Sequence, residues 1–330
     1  MKVLVAGGAG YIGSHTVKAL KPAGHEPVIY DNGDRGHKIV GDILKVPCVW
    51  GELDDAELLT KTLREHGIEL VMHFAAYAYV GESVHEPLMY YHNNVATTVN
   101  VLQCMKAAGV KKFVFSSTCA TYGDPDTVPI TESEPQTPVS PYGESKLMVE
   151  YVLRDLAASD PEFKYAALRY FNACGCDPEG ELGEDHDPET HLIPVIFEAL
   201  LGKRPALTVF GTDYPTPDGT CVRDYIHVAD LADAHIKAAA ALDEHREIKA
   251  NLGTGRGFSV KEIIKAAEAV TGKEVPVEYG DRRAGDAIAL YADPSYAKQL
   301  FGWEAQYKDP AQIIKTAWAW HEKHPDGYGD

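Results

Sequence analysis

Tyr142 and Lys146 stand four residues apart in SPYGESKLMVE, where a proline-bearing loop runs into an amphipathic pattern. At that spacing both side chains share one face of a helix. A phenol beside an ammonium can do acid–base chemistry. A nearby positive charge favours phenolate and pulls a tyrosine pKa down from about 10 toward neutrality. A tyrosine tuned in this way can serve as a general base at physiological pH. The spacing alone also fits an ordinary aromatic–lysine contact, so it needs partners before it reads as chemistry.

Two other stretches supply them. VAGGAGYIG carries Gly7, Gly10 and Gly13 at GxxGxxG spacing, between a β-rich run and a helical one. A backbone that turns tightly, approaches a pyrophosphate and lets a helix pack on a sheet needs glycine at such points. The helix that follows offers unpaired N–H groups and its positive dipole end to phosphate. The next β-rich run ends in Asp31. An acid there hydrogen-bonds a ribose 2′-OH and repels a 2′-phosphate, which favours NAD over NADP. FSSTCATYG then sets Thr118 at the end of a β-rich run, where ligands bind in open α/β sheets. Its hydroxyl could bind a substrate oxygen, or it could satisfy local backbone.

The elements that must position these residues alternate. Lys2–Gly7, Glu26–Asp31, CVWGEL, Leu70–Ala76, Lys112–Thr118 and Tyr165–Asn172 read as strands. Tyr11–Leu20, AELLTKTLREHG, Met89–Ala108 and Tyr142–Ala158 read as helices between them. That alternation predicts an α/β fold, a doubly wound parallel sheet of Rossmann type. Residues 1–172 form the dinucleotide-binding domain, completed by segments around 221–253, and 173–330 form mainly a smaller α/β substrate lobe. Within that lobe Gly175–Thr190 reads as an exposed insertion, and helices are expected at Asp230–Asp243, Ser259–Thr271 and Ala311–His321.

Composition excludes other classes. With 31 basic and 49 acidic residues the net charge is −18, which suits neither nucleic acid nor an anionic membrane surface. No run approaches a membrane span, and the N-terminus has no signal-peptide pattern. The six scattered cysteines read as reduced thiols in a cytoplasmic protein. The fourteen histidines contain no HExxH or HxH cluster, so no metal site is expected.

VLVAGGAGYIGSH, HFAAYAYVGES, YYHNNV, FSSTCATYG, SPYGESKLMVE, RYFNACG, HLIPVI, FGTDYPTPDGTCVRDYIHVADLADAH, NLGTG and RRAGD span nearly the whole chain, and together they resemble the extended short-chain dehydrogenase/reductase family. The resemblance implies NAD as cofactor, a UDP-sugar as substrate, a homodimer built from Met89–Ala108 and Leu147–Ala158, and interconversion of UDP-glucose and UDP-galactose through a 4-keto sugar. It makes Tyr142 the general base, Lys146 the lysine that tunes it and holds the nicotinamide ribose, and Thr118 the hydrogen-bonding partner of the sugar 4-oxygen. Tyr11, Ile12, Asp31, Asn32, Phe74, Ala75, Ala76, Asn93 and Phe171 match cofactor contacts. Glu52 and Leu53 stand where an Asp–hydrophobic pair usually meets adenine. Asn172, Leu192, Phe210, Arg223, Arg283 and Asp286 match positions that hold the nucleotide-sugar. Arginines suit a diphosphate, although flanking acids at Asp224 and Asp286 also fit surface ion pairing. Ala78 replaces a lysine that some members place beside the cofactor. Leu290 lies where a larger or smaller residue gates the sugar C2 pocket, and leucine leaves room there for an N-acetyl group.

The same residues bear on other reactions. A dehydratase needs acids beside the active-site threonine, and Thr118 is followed by Cys119 and Ala120. A reductase often uses NADP, which Asp31 disfavours. A 4-epimerase for UDP-N-acetylglucosamine, UDP-xylose or UDP-glucuronate keeps every motif. A non-catalytic dinucleotide sensor has no need of Tyr142, Lys146 and a strand-end hydroxyl together.

Overall fold

The computed structural model describes residues 1–283 and 287–329. Six of its strands are β1 (Lys2–Ala6), β2 (Glu26–Asp31), β3 (Cys48–Trp50), β4 (Leu70–His73), β5 (Lys112–Thr118) and β6 (Lys164–Tyr170). With the strand Glu247–Leu252 they form one seven-stranded sheet, ordered from Glu247–Leu252 through β6, β5, β4, β1 and β2 to β3. Every pairing is parallel. The strand order reverses between β1 and β4, so the crevice at their carboxyl ends is the expected ligand site.

Near-continuous apolar runs mark strands covered on both faces, and alternate residues feed separate cores. Val3, Val5 and Ile29 pack with Val17, Leu20, Leu231 and Ala238, under the helices Tyr11–Leu20 and Val228–Ala241. Leu4, Val28 and Tyr30 pack on the other face with Leu59, Leu63, Leu102, Met105, Val149 and Leu153, from the helices Ala56–Glu65, Thr97–Ala108 and Pro141–Ser159. The predicted helix Met89–Ala108 divides into a short α-turn at Pro87–Tyr90, a π-helical stretch at Tyr91–Ala96 and the α-helix Thr97–Ala108.

A third core gathers later residues, among them Cys176, Ile196, Phe197, Ile263, Ile314 and Trp320. It corrects one expectation. Gly175–Thr190 is not an exposed insertion, because Cys176, Asp177, Leu182, Gly183 and Glu184 are buried. A Cβ on Gly183 would lie 2.0 Å from the Trp320 ring, so the loop is pressed onto the C-terminal helix. Its polar composition hid that contact.

Candidate active site

The glycine turn is built by sterics. Gly7 has φ +78°, and a Cβ there would sit 2.5 Å from the Ala75 nitrogen; at Gly13 it would sit 2.1 Å from the Gly7 oxygen. Both glycines are therefore required by the protein itself. Gly10 differs, since a Cβ there would meet nothing closer than 3.5 Å. Gly10 nevertheless lines the cleft and immediately precedes the helix Tyr11–Leu20, with no side-chain cap. The first N–H groups of a helix have no internal partner, so this end offers donors to a phosphate. Tyr11 and Ile12 are the first two residues of that helix. The Tyr11 side chain turns away, and its hydroxyl donates to the Gly175 carbonyl at 2.5 Å.

Gly7, Gly10, Asp31, Asn32, Glu52, Leu53, Phe74, Ala75, Ala76 and Asn93 all line this one cleft. Asp31 accepts hydrogen bonds from the N–H groups of Ala9 at 3.0 Å and Gly33 at 2.9 Å, so it also braces the turn. Burial pushes its carboxyl pKa up, while those bonds pull it down. Asp34 and Glu52 line the same end, and Asn32 donates to Glu52 at 3.1 Å. Three carboxylates there would repel a 2′-phosphate. Arg35 is on the rim but pairs with Glu82 at 3.1 Å and lies over Tyr77. The cradle fits a dinucleotide that carries a 2′-hydroxyl.

Tyr142 and Lys146 enter on the helix Pro141–Ser159. Ser140 caps it by accepting from the Gly143 N–H at 3.2 Å, and Pro141 opens it, where a missing N–H does no harm. Thr118 ends β5, its hydroxyl oxygen accepting from the Ala120 N–H at 3.1 Å. Lys146 is buried, donates to the Ser116 carbonyl at 2.9 Å, and lies 6.0 Å from the centre of the Tyr142 ring. The electrostatics correct the expected sign. Burial pushes the Tyr142 phenol up to about 12, opposed by a hydrogen bond from the Thr118 hydroxyl. Burial also pulls Lys146 down to about 7. Both shifts arise because the pocket excludes water from the charged forms. The Thr118 hydroxyl favours phenolate, but burial outweighs it.

The remaining expected residues come from later segments. Phe171 and Leu290 share a small cluster with Tyr122, Ile130, Ala292 and Cys119, beside Thr118. Leu290 pairs with Arg223 across two short strands. Asn172 donates to the Asp224 carbonyl at 3.0 Å. Asp224 is buried, its carboxylate accepting from the Thr254 hydroxyl at 2.7 Å and the Ala292 N–H at 3.1 Å; burial raises its pKa to about 6. The Arg283 guanidinium stacks 4.0 Å from the Phe210 ring centre, a planar cation held by an aromatic face. Leu192 opens the helix Leu192–Leu200. Asp286 lies outside the described residues.

Sequence reasoning missed three groups. Asn94 joins the cleft to the catalytic helix: it accepts from the Tyr77 N–H at 2.9 Å and donates to the Ser145 hydroxyl at 3.0 Å. Glu150, on the same helix as Tyr142 and Lys146, meets Arg169 of β6 at 2.5 Å. Glu184, His186, Glu189 and His191 also come together, although the sequence shows no HExxH or HxH pattern. Their ExHxxExH spacing in GEDHDPETH was the available signal.

A doubly wound sheet with a glycine-turn dinucleotide cradle, a strand-end hydroxyl and a Tyr–Lys helix defines an NAD-binding enzyme of the short-chain dehydrogenase type. Residues 3–253 match the NAD dependent epimerase/dehydratase family, and the chain belongs to it. It is 48% identical to a UDP-glucose 4-epimerase of Lacticaseibacillus casei, over 100% of this chain and 99% of the relative. The UDP-glucose 4-epimerase of Brucella ovis, solved in complex with NAD, is 49% identical with TM-score 0.93, covering 96% of this chain and 97% of its own. A UDP-glucose-4-epimerase from Stenotrophomonas maltophila, with bound NAD and formylated UDP-arabinopyranose, is 40% identical with TM-score 0.96, covering 98% and 99%.

Proposed function

We propose that the chain interconverts UDP-glucose and UDP-galactose by inverting C4 of the sugar with tightly held NAD. The observation that carries this is the convergence of Thr118, Tyr142 and Lys146 at the carboxyl edge of β5, one strand from the glycine-turn cleft. Gly7, Gly10, the Tyr11–Gly13 backbone, Asp31, Asn32, Glu52, Leu53, Phe74, Ala75, Ala76 and Asn93 would hold the cofactor, with Lys146 and Phe171 toward its nicotinamide end. The chemistry NAD supplies when bound is reversible oxidation at the sugar carbon, with a positive ring charge in its oxidised form. Tyr142 takes the proton from the 4-hydroxyl and returns it to the same oxygen. Thr118 donates to the phenolic oxygen and so steadies the phenolate. Arg223, Arg283, Phe210, Asn172, Leu192 and Asp286 would bind the nucleotide-sugar, and residues 173–330 would form most of that lobe.

Replacing Tyr142 with Phe tests the reading. Conversion of UDP-galactose to UDP-glucose should fall by about 10²-fold or more, while NAD stays bound. Unchanged turnover would refute it. A second reading, a UDP-pentose substrate, is favoured by the arabinopyranose nucleotide bound to the Stenotrophomonas maltophila relative. Leu290, beside Phe171, is the position to vary when UDP-xylose, UDP-glucuronate and UDP-N-acetylglucosamine are compared with UDP-glucose.

We also propose a homodimer in the cytoplasm. Its support is the exposed apolar set Val84, Leu88, Met148 and Tyr151, on helices that pack together. The six free thiols suit a reducing compartment. Among the described residues no helix is long and apolar enough to cross a membrane.

A further inference from the structure

The segment Gly175–His191 folds two histidines and two glutamates into one cluster, none of them among the residues that line the dinucleotide cleft. The Nδ1 of His186 lies 3.5 Å from Glu184 Oε1 and 3.3 Å from Glu189 Oε2. The Nδ1 of His191 lies 3.3 Å from Glu184 Oε1 and 2.9 Å from Glu189 Oε1. Four potential ligand atoms, one from each residue, lie within 4.8 Å of one another. A tetrahedral ion with ligands at about 2.0–2.1 Å sets those ligands about 3.3–3.4 Å apart. Two of the four imidazole–carboxylate distances match that edge, and a third is 0.1 Å longer.

Burial sharpens the case. The Glu184 side chain is only 3% exposed, yet its Oε1 has no hydrogen-bond partner and faces the two imidazole nitrogens. Such an orphaned oxygen is costly unless something positive completes it. Glu189 is held in place from behind, its Oε1 accepting from the N–H groups of Thr190 and His191, each at 2.7 Å. The rings of Tyr11 and Tyr79 stand against His186. Two carboxylates with two neutral imidazoles carry −2, the complement of a divalent cation. A neighbouring acidic set differs: Asp177, Glu179 and Glu181 already surround the Lys18 ammonium at 2.7, 2.7 and 2.8 Å.

We propose that Glu184, His186, Glu189 and His191 bind one divalent transition-metal ion of the zinc class in a four-ligand, structural site. Imidazole and carboxylate together suit zinc and its neighbours better than magnesium or calcium, which prefer oxygen alone. Four protein ligands leave no open position for substrate. The ion pins the loop that Trp320 covers to the start of the helix Leu192–Leu200, whose first residue is in the proposed sugar site.

The test is to strip the whole protein with a chelator and titrate it with Co²⁺ and Zn²⁺. One equivalent of Co²⁺ should give the intense visible bands of tetrahedral coordination, and one equivalent of Zn²⁺ should displace it and raise Tm. Glu184→Gln keeps the size and shape of the side chain, so it should fold, which circular dichroism checks. It should weaken Co²⁺ binding by more than the ~10–100-fold that loss of an outer partner costs. A wild-type spectrum without tetrahedral bands overturns the proposal. So does a folded Glu184→Gln or His186→Ala protein that binds Co²⁺ as the wild type does.

Discussion

The Lys146 ammonium donates to the Ser116 carbonyl at 2.9 Å, which ties the catalytic helix to β5 at the strand end that carries Thr118. That bond holds a cation in a place that drives its pKa from 10.5 to about 7. The native state then binds fewer protons than the unfolded chain between about pH 7 and pH 10.5. Stability must therefore rise with pH across that window, and the penalty is fully present below pH 7. The shift corresponds to roughly 3–5 kcal/mol at most. Urea denaturation of the NAD-stripped protein should show wild type gaining on Lys146→Met as pH is raised from 7 to 10. A difference independent of pH would mean that Lys146 stays charged throughout.

Thr118 acts on the proposed base through a hydrogen bond. Its hydroxyl is the one hydrogen bond that lowers the Tyr142 pKa against burial. Activity that needs phenolate rises with pH through the tyrosine pKa, so removing the donor moves that rise upward. Thr118→Ala should shift the acid limb of kcat to higher pH and reduce kcat by about 10²-fold near neutrality. Thr118→Ser should restore both. A lowered kcat with an unmoved profile would give Thr118 a substrate-binding role only.

Asn94 is a positioning residue. Besides the Tyr77 N–H and Ser145 hydroxyl, it donates to the Tyr77 carbonyl at 3.0 Å, and Ser145 donates to the Tyr142 carbonyl at 2.7 Å. Asn94→Ala strands buried polar groups on the loop that lines the cleft, at about 1–3 kcal/mol each. NAD affinity, measured by fluorescence titration, should fall together with kcat. Retained NAD affinity would show that the loop is held by its other contacts.

How much of this was legible in sequence follows from how local each feature is. Gly7, Gly10, Gly13 and Asp31 obey a strand–turn–helix rule spanning thirty residues or so, and the structure sets Gly7, Gly10 and Asp31 around one cleft. Tyr142 and Lys146 share a helix face because spacing dictates it. The sign of the Tyr142 shift was not legible, since it depends on burial, in which Tyr90, distant in sequence, takes part. The buried loop at Gly183 reads as polar and glycine-rich, and only Trp320, more than a hundred residues on, explains it. Arg223, Phe210 and Leu290 could be named by resemblance alone, because short paired strands leave no periodic trace.

The Glu150–Arg169 pair belongs to that long-range class. Both side chains are under 5% exposed, and Ser117 also donates to Glu150 at 2.6 Å while Arg169 donates to the Tyr122 hydroxyl at 2.8 Å. Breaking one partner of a buried pair leaves an uncompensated charge, at about 3–5 kcal/mol. Arg169→Met should lower stability by that order, read from urea midpoints. Replacing both with apolar residues of like volume should recover part of the loss. Equal losses in the single and double variants would place the cost in packing, not charge.

Leu88 is the most exposed large apolar side chain, at 82%, on a short helix packed against the one that carries Met148 and Tyr151. Apolar side chains gathered on adjoining helices mark an association surface. In a dimer formed there, each copy would press the catalytic helix of the other against its own sheet. Leu88→Glu with Tyr151→Glu should therefore convert a dimer to a monomer in sedimentation equilibrium, with kcat falling and the midpoint of unfolding losing its dependence on protein concentration. A variant that sediments as the wild type does would remove this face from consideration.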